Sequence, residues 1–147
     1  MLRIPFPPAE SAALAKRCGA REGFGTNLYI YAGALAAHFG LSVRNTEDAD
    51  EAVQFLREGR GMVIANVQGN REGYTGVFSD GGHYILLLRT SGGRIALLDP
   101  MYRPGRYDRP GRAGKVTMEG NVAWTTADVV REDCRDRPFF LFSKREK

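Results

Sequence analysis

The sequence predicts an α+β domain in which helices come first and an antiparallel sheet follows. Through about the first 59 positions, apolar residues recur at three- and four-residue steps, as they do on amphipathic helices. From about residue 60 the apolar runs are short and rich in β-branched and aromatic residues, which is typical of strands. Two of these runs are separated by Thr90-Ser91-Gly92-Gly93, a sequence that favours a hairpin turn.

The helical part contains three predicted helices, each lying between a proline or capping residue and a glycine. They run from Pro7-Pro8 to Gly19, from Thr26-Asn27 to Gly40, and from near Thr46 to Gly59. In the second, Leu28, Ala32, Leu35 and Phe39 share one face.

The sheet part is predicted to hold strands at 62–67, 83–89, 94–99, 115–118 and 139–142, with a short helix from Thr126 to Asp133. A length of 147 residues with 43% hydrophobic content suits one domain with one core. We therefore expect a single domain over residues 1–147, with a helical part at about 8–59 and a sheet part at about 60–143.

The composition narrows the function classes. No run reaches the roughly 20 apolar residues of a membrane span, and residues 1–8 contain no apolar segment of a signal peptide. As written, the chain is expected to stay in the cytoplasm. Two cysteines, Cys18 and Cys134, are too few for a disulfide framework, and the sequence leaves their pairing open. The net charge of +4 aids solubility without identifying a partner.

His83 and Asp99 are the residues on which the functional prediction depends. In a hairpin that turns within residues 90–93, His83 lies opposite a position between Asp99 and Tyr102. Facing or diagonal side chains are then about 5 to 7 Å apart, which brings the carboxylate within reach of the imidazole. A carboxylate in this place holds the ring in one tautomer, as in a nucleophilic triad. The competing interpretation is a polar residue at the sheet rim beside an ordinary Asp-Pro turn.

A set of short motifs resembles the bacteriocin-processing-peptidase-like branch of papain-fold cysteine peptidases. The motifs are Gly82-His83-Tyr84-Ile85-Leu86-Leu87, Asp99-Pro100, Gly25-Thr26, Gly40-Leu41, Leu56-Arg57-Glu58-Gly59 before Met62-Val63-Ile64-Ala65, and Thr126-Ala127-Asp128-Val129-Val130 before an aromatic strand. They follow the family's order and cover about residues 8 to 142.

The resemblance implies a papain-like fold and a Cys-His-Asp triad, with His83 as the base and Asp99 as its orienter. It also implies an oxyanion-hole glutamine and a Cys-Gly-Pro-type motif in front of Pro7-Pro8-Ala9-Glu10, where this sequence has neither. The expectation is a peptidase-like domain without its nucleophile: a fragment, a peptide-binding pseudo-enzyme, or part of a site that a protein partner completes. The implied substrate is a peptide or protein.

Cys18 offers an alternative nucleophile, because Cys18-Gly19-Ala20 superficially echoes the missing motif. A thiol beside a protonated histidine would have a lowered pKa. Against this, Cys18 falls near the predicted end of a helix, where the helix dipole disfavours a thiolate. An active hydrolase that uses Cys18 therefore remains an open second hypothesis.

A third hypothesis is a basic binding module that acts through Arg103 to Lys115. Arginines recur there at three-residue steps, and they would line one side of an extended segment. An anionic peptide, a polyphosphate or a nucleic acid could bind such a segment. Without an aromatic stacking platform, a solvated loop is the favoured interpretation, and nucleic acid is not the expected partner. Cysteines and histidines lack the paired spacing of a zinc site, so neither a metal nor another cofactor is expected.

Overall fold

The computed structural model describes residues 7–23 and 25–146. In these ranges there are four helices: α1 (Pro8–Arg17), α2 (Leu28–Phe39), α3 (Ala49–Arg57) and α4 (Ala127–Asp133). The strands are β1 (Arg21–Glu22), β2 (Gly25–Thr26), β3 (Leu41–Thr46), β4 (Gly61–Val67), β5 (His83–Ser91), β6 (Arg94–Leu98), β7 (Thr117–Glu119), β8 (Val122–Thr126) and β9 (Phe139–Lys144). The chain is therefore of the predicted α+β class.

The main sheet has seven strands in the order β3-β9-β4-β5-β6-β8-β7, and β1 and β2 form a separate pair. Every pairing from β4 through β7 is antiparallel. The described residues divide into two compact units, one of residues up to Val43 with those from Phe142, the other of Arg44–Leu141. The boundary falls within β3 and β9. That the whole chain forms one domain stays a prediction.

The core of the second unit lies on one face of its sheet. Val63 on β4 pairs with Leu87 on β5, which pairs with Leu97 on β6, and all three side chains are fully buried. Helix α3 packs an apolar face into the same core, and Asp48 caps its start by accepting from the backbone N–H groups of Asp50 and Glu51. Side chains along β5 alternate between the two faces of the sheet, and His83 is four residues from Leu87. His83 therefore points to the same face as Leu87.

The β5–β6 hairpin sets the register of the site. Gly92 and Gly93 form its two-residue turn, and both have a positive φ, which side chains other than glycine rarely adopt. The pairing shifts between Leu87 and Arg89, a bulge that inserts one extra residue in β5. Beyond the bulge Leu86 pairs with Leu98, which places Asp99 just past the end of β6.

The first unit holds α1 and α2. Asn27 caps α2 by accepting from the backbone N–H of Tyr29, and Gly40 ends the helix in the left-handed conformation. The Ser11 hydroxyl on α1 lies 2.5 Å from the Tyr31 hydroxyl on α2. Both helices fall where the sequence predicts them.

Three features of the fold were not predicted: β3, β8 and the β1–β2 pair. The expectation about a signal peptide concerns residues 1–8, of which 1–6 lie outside the described residues. Residues 104–115 form a series of turns, as expected for a loop, and not the extended segment on which the third hypothesis depends.

Candidate active site

The structure brings His83 and Asp99 together at one end of the sheet. His83 is the first residue of β5, where it pairs with Val67 of β4. Nε2 of its ring lies 2.9 Å from Oδ1 of Asp99. The Asp99 side chain is completely buried, and the His83 side chain is 12% exposed. The contact that the hairpin register predicts is therefore present, whereas the catalytic roles of the two residues stay a prediction.

A turn and a tyrosine hold the Asp99 carboxylate in place. Its Oδ1 also accepts from the backbone N–H of Met101 at 2.9 Å, and the Asp99 carbonyl accepts from Tyr102 N–H, which closes a turn with Pro100 at its second position. Its Oδ2 accepts from the Tyr107 hydroxyl at 2.5 Å. The carboxylate is thus hydrogen-bonded on both oxygens.

These contacts decide the charge of Asp99. Burial by itself would raise the pKa of this carboxyl, but the hydrogen bonds from His83, Tyr107 and the Met101 N–H outweigh it and hold the pKa below its ordinary value. Burial raises the pKa of Tyr107, and the neighbouring carboxylate raises it further, so its hydroxyl stays a donor. Asp99 is accordingly an anion that faces the imidazole at neutral pH.

The second ring nitrogen of His83 has no such partner. Nδ1 is buried and makes no hydrogen bond to any residue in the described ranges. With Nε2 donating to Asp99, Nδ1 is the nitrogen that carries the lone pair. A histidine arranged in this way can accept a proton at Nδ1 while Asp99 stabilises the resulting imidazolium.

A largely apolar groove of about 600 Å³ opens beside Asp99, and we call it the sheet groove. Its lining is Ile64, Tyr84, Ile85, Leu86, Leu98, Asp99, Pro100, Tyr102 and Asn121. Ile64, Leu86 and Leu98 form one row across three strands, on the face opposite the buried row of Val63, Leu87 and Leu97. Leu98 is 38% exposed, so this row offers apolar surface on the sheet face opposite the one to which His83 points.

The loop before His83 is fixed by a buried carboxylate on α4. Asp133 is fully buried, and its carboxylate accepts from the backbone N–H groups of Val77 and Phe78 and from the Tyr74 hydroxyl. Burial, together with the Asp133 charge, raises the pKa of Tyr74. Residues 74–78 are therefore anchored to the helix, and Phe78 belongs to the core.

Two arginines also hold the same loop. Arg112 is 1% exposed; its Nε donates to the Gly76 carbonyl at 2.7 Å, and its Nη2 donates to Asp80 at 2.6 Å. Arg106 donates to the Phe78 carbonyl through Nη2, and its Nε lies 3.6 Å from Oδ2 of Asp99. The loop and the Asp99 carboxylate thus share a cationic neighbour.

Two of the four arginines in the predicted basic surface point into the fold. Within Arg103–Lys115, Arg112 is buried and Arg106 points inward to Phe78 and Asp99, so the arginines do not line one exposed side. Arg103 and Arg109 are exposed, and Lys115 lies 5.4 Å from the Tyr74 ring. Two of the four arginines serve the fold, which weakens the prediction of a basic binding module.

The two cysteines are free thiols. Cys18 follows the last residue of α1, and its Sγ donates to the Ala15 carbonyl at 3.5 Å. Cys134 is buried at the end of α4, and burial, with the adjacent Asp133 charge, raises its pKa. Cys18 belongs to the first compact unit, whereas His83 and Asp99 belong to the second. Its role as nucleophile stays a prediction.

Tyr107 and Arg106 contact Asp99 and were not predicted to belong to the site. The three-residue arginine spacing suggested a surface position for Arg106, and no sequence pattern relates either residue to Asp99. For Asp133 a signal was available, because Val130, Asp133 and Cys134 stand three and four positions apart, on one helix face. A carboxylate on that buried face requires hydrogen-bond donors around it.

Residues 7–23 and 25–146 contain no group of three or more His, Cys, Asp or Glu side chains that could hold a metal ion. None of their helices is long and apolar enough to cross a membrane.

No protein-family model matches the chain, and a search of the curated proteins found no match. The functional interpretation therefore depends on the residues and contacts of the site itself.

Proposed function

We propose that this chain is a papain-like cysteine-peptidase-like domain that supplies the histidine and the aspartate of a Cys-His-Asp site and binds a peptide. The observation that carries the proposal is the His83–Asp99 pair, with Nε2 bound to a buried carboxylate and Nδ1 buried without a partner in the described ranges. A polar rim residue would leave both nitrogens to water. Here Nε2 is bound to a carboxylate and Nδ1 has no partner among the described residues, which supports a role for Nδ1 as a proton acceptor.

In the proposed site each residue has one chemical task. Nδ1 of His83 takes the proton of a nucleophile, and the Asp99 carboxylate stabilises the imidazolium that forms. The buried negative charge of Asp99 is stabilised by hydrogen bonds from the Tyr107 hydroxyl and the Met101 N–H. The thiol comes from a partner protein or a further segment of chain in this proposal, and from Cys18 in the alternative.

The sheet groove supports a peptide as the ligand. It places the apolar row of Ile64, Leu86 and Leu98 next to the end of β6, where Asp99 follows. An extended peptide places every second side chain on one side, and such a row can receive these side chains.

The test compares four single variants with the wild-type protein: His83→Ala, Asp99→Asn, Cys18→Ala and His38→Ala. The chain has two histidines, so His38→Ala is the matched control. Binding of a fluorescein-labelled mixture of apolar peptides is measured by polarisation, and hydrolysis of a fluorogenic peptide and a thioester is measured in parallel.

The proposal places the bound peptide across the end of the sheet, from the sheet groove to His83. It therefore predicts peptide binding that weakens at least several-fold in His83→Ala and not in His38→Ala, without hydrolysis. Hydrolysis that disappears in both Cys18→Ala and His83→Ala would establish the alternative, an active Cys18 hydrolase. A protein that neither binds nor cleaves peptides in a His83-dependent way would contradict both.

A further inference from the structure

The contact between His83 and Asp99 uses only one of the two carboxylate oxygens. Oδ1 faces Nε2 of His83, and Oδ2 is occupied by the Tyr107 hydroxyl at 2.5 Å. A carboxylate can rotate about its Cβ–Cγ bond, which would turn Oδ1 away from the ring. Where Oδ1 points is therefore determined by what holds Oδ2, together with the Met101 N–H that donates to Oδ1 at 2.9 Å.

Tyr107 is itself held firmly. Its ring stacks on Tyr102 with 5.7 Å between the centroids and meets Phe78 edge-on at 5.8 Å. The residue is 5% exposed. Because its ring is packed on these two sides, the hydroxyl cannot leave Oδ2 without moving a buried side chain.

Arg106 provides the competing partner for Oδ2. Its Nε lies 3.6 Å from this oxygen, is buried, and makes no hydrogen bond to any described residue. If the Tyr107 hydroxyl were removed, a small rotation of the carboxylate would bring Oδ2 to this donor. The same rotation would lengthen the contact between Oδ1 and the imidazole.

We propose that Tyr107 is a positioning residue: by occupying Oδ2 it keeps Oδ1 on Nε2 of His83, and so fixes the ring proton on Nε2 and leaves Nδ1 as the basic nitrogen. This inference rests on the proposed function for its meaning, because the fixed tautomer prepares Nδ1 to receive the proton of a nucleophile. The charged or titratable groups around Asp99 that matter here are His83, Tyr107 and Arg106.

The experiment reads the tautomer directly in the protein without ligand. Protein carrying 15N-labelled histidine is studied by two-bond 15N–1H NMR at about pH 8, where an ordinary histidine is neutral. The spectrum of His83→Ala assigns the signals of the two histidines. Tyr107→Phe removes only the hydroxyl. Tyr102→Phe, the control, removes a hydroxyl of the stacked neighbour that does not contact the Asp99 carboxylate and leaves the Tyr102 backbone N–H in place.

We expect wild-type protein and Tyr102→Phe to show one protonated nitrogen, Nε2, and one unprotonated nitrogen, Nδ1. In Tyr107→Phe both signals of His83 should move towards each other, because the two tautomers then interconvert. Unchanged His83 signals in a folded Tyr107→Phe would overturn the inference while leaving the proposed function in place. Conversely, absence of peptide binding would contradict the proposed function without altering the tautomer result.

If Tyr107→Phe does not fold, the inference can still be tested on the wild-type protein. In wild-type protein the Tyr107 hydroxyl proton should exchange slowly enough to give a resolved signal with cross peaks to its own ring protons. A hydroxyl proton that exchanges with water too fast to be observed would also overturn the inference, since the proposed hydrogen bond is buried.

Discussion

The carboxylate of Asp133 accepts a hydrogen bond from the backbone N–H of Val77 at 2.7 Å, at a position with no exposed surface. This one contact joins α4 to the loop that leads into His83. The shape of the loop before the candidate site is therefore determined in part by a residue more than fifty positions further along the chain.

Replacing Asp133 should destabilise the fold strongly. Asp133→Ala leaves the N–H groups of Val77 and Phe78 and the Tyr74 hydroxyl without their acceptor, and we expect a loss of about 3 kcal/mol in the free energy of unfolding. Urea denaturation measures it. Asp136→Asn is the control, because Asp136 is exposed and asparagine tolerates its positive φ of 58°. Equal losses in the two variants would contradict the role of Asp133.

The charge of Asp99 should make stability fall in acid. Its folded-state pKa lies below the ordinary value of 3.8, so its contribution to stability is complete above that pH and is lost as the pH falls through the lower folded-state pKa. The difference in unfolding free energy between wild-type protein and Asp99→Asn should shrink as the pH falls below 3.8. Urea denaturation at a series of pH values tests this, and a difference independent of pH would refute it.

Gly76 should tolerate no side chain. A Cβ atom there would lie 2.2 Å from the Ser79 carbonyl oxygen and 2.7 Å from the carbonyl carbon of Gly69, so backbone would have to move. We expect Gly76→Ala to cost about 3 kcal/mol. Gly81→Ala in the same loop meets no atom within 4 Å and should change stability by about 0.5 kcal/mol or less. Thermal unfolding compares the two, and similar melting temperatures would show that the loop adapts.

The two thiols should differ in reactivity. Burial raises the pKa of the Cys134 thiol, so little thiolate forms and reagent has no access, whereas Cys18 is partly exposed. Iodoacetamide should therefore label Cys18 in native protein, and Cys134 only after urea is added. Mass spectrometry of the alkylated peptides distinguishes the sites. Native labelling of Cys134 at the rate of Cys18 would show that α4 opens readily.

Local sequence patterns predicted the helices and the central hairpin because these elements depend on nearby residues. The cap at Asn27, the glycine at Gly40 and the turn at Gly92-Gly93 each act within a few positions of the element they end. Strand β8 was missed although Gly120-Asn121 before Val122 is a two-residue hairpin signal, and Gly120 has a positive φ.

Of the candidate site, the sequence predicted only the contact that follows from the hairpin register. That register brings His83 to Asp99, but Tyr107 and Arg106 come from a series of turns whose path depends on tertiary packing. The burial of Arg112 could not be predicted either, because an arginine in a glycine- and proline-rich segment is usually exposed. Such contacts join residues that no periodic pattern relates.

The position of β9 in the sheet has a consequence for how the protein is made. Strand β4 ends at Val67, yet one of its two neighbours, β9, begins at Phe139. While ribosomes are still translating the intervening residues, the outer edge of β4 has no strand to pair with. Exposed strand edges attract other chains, so nascent copies of this protein should depend on chaperones, or on rapid completion of synthesis, to avoid aggregation.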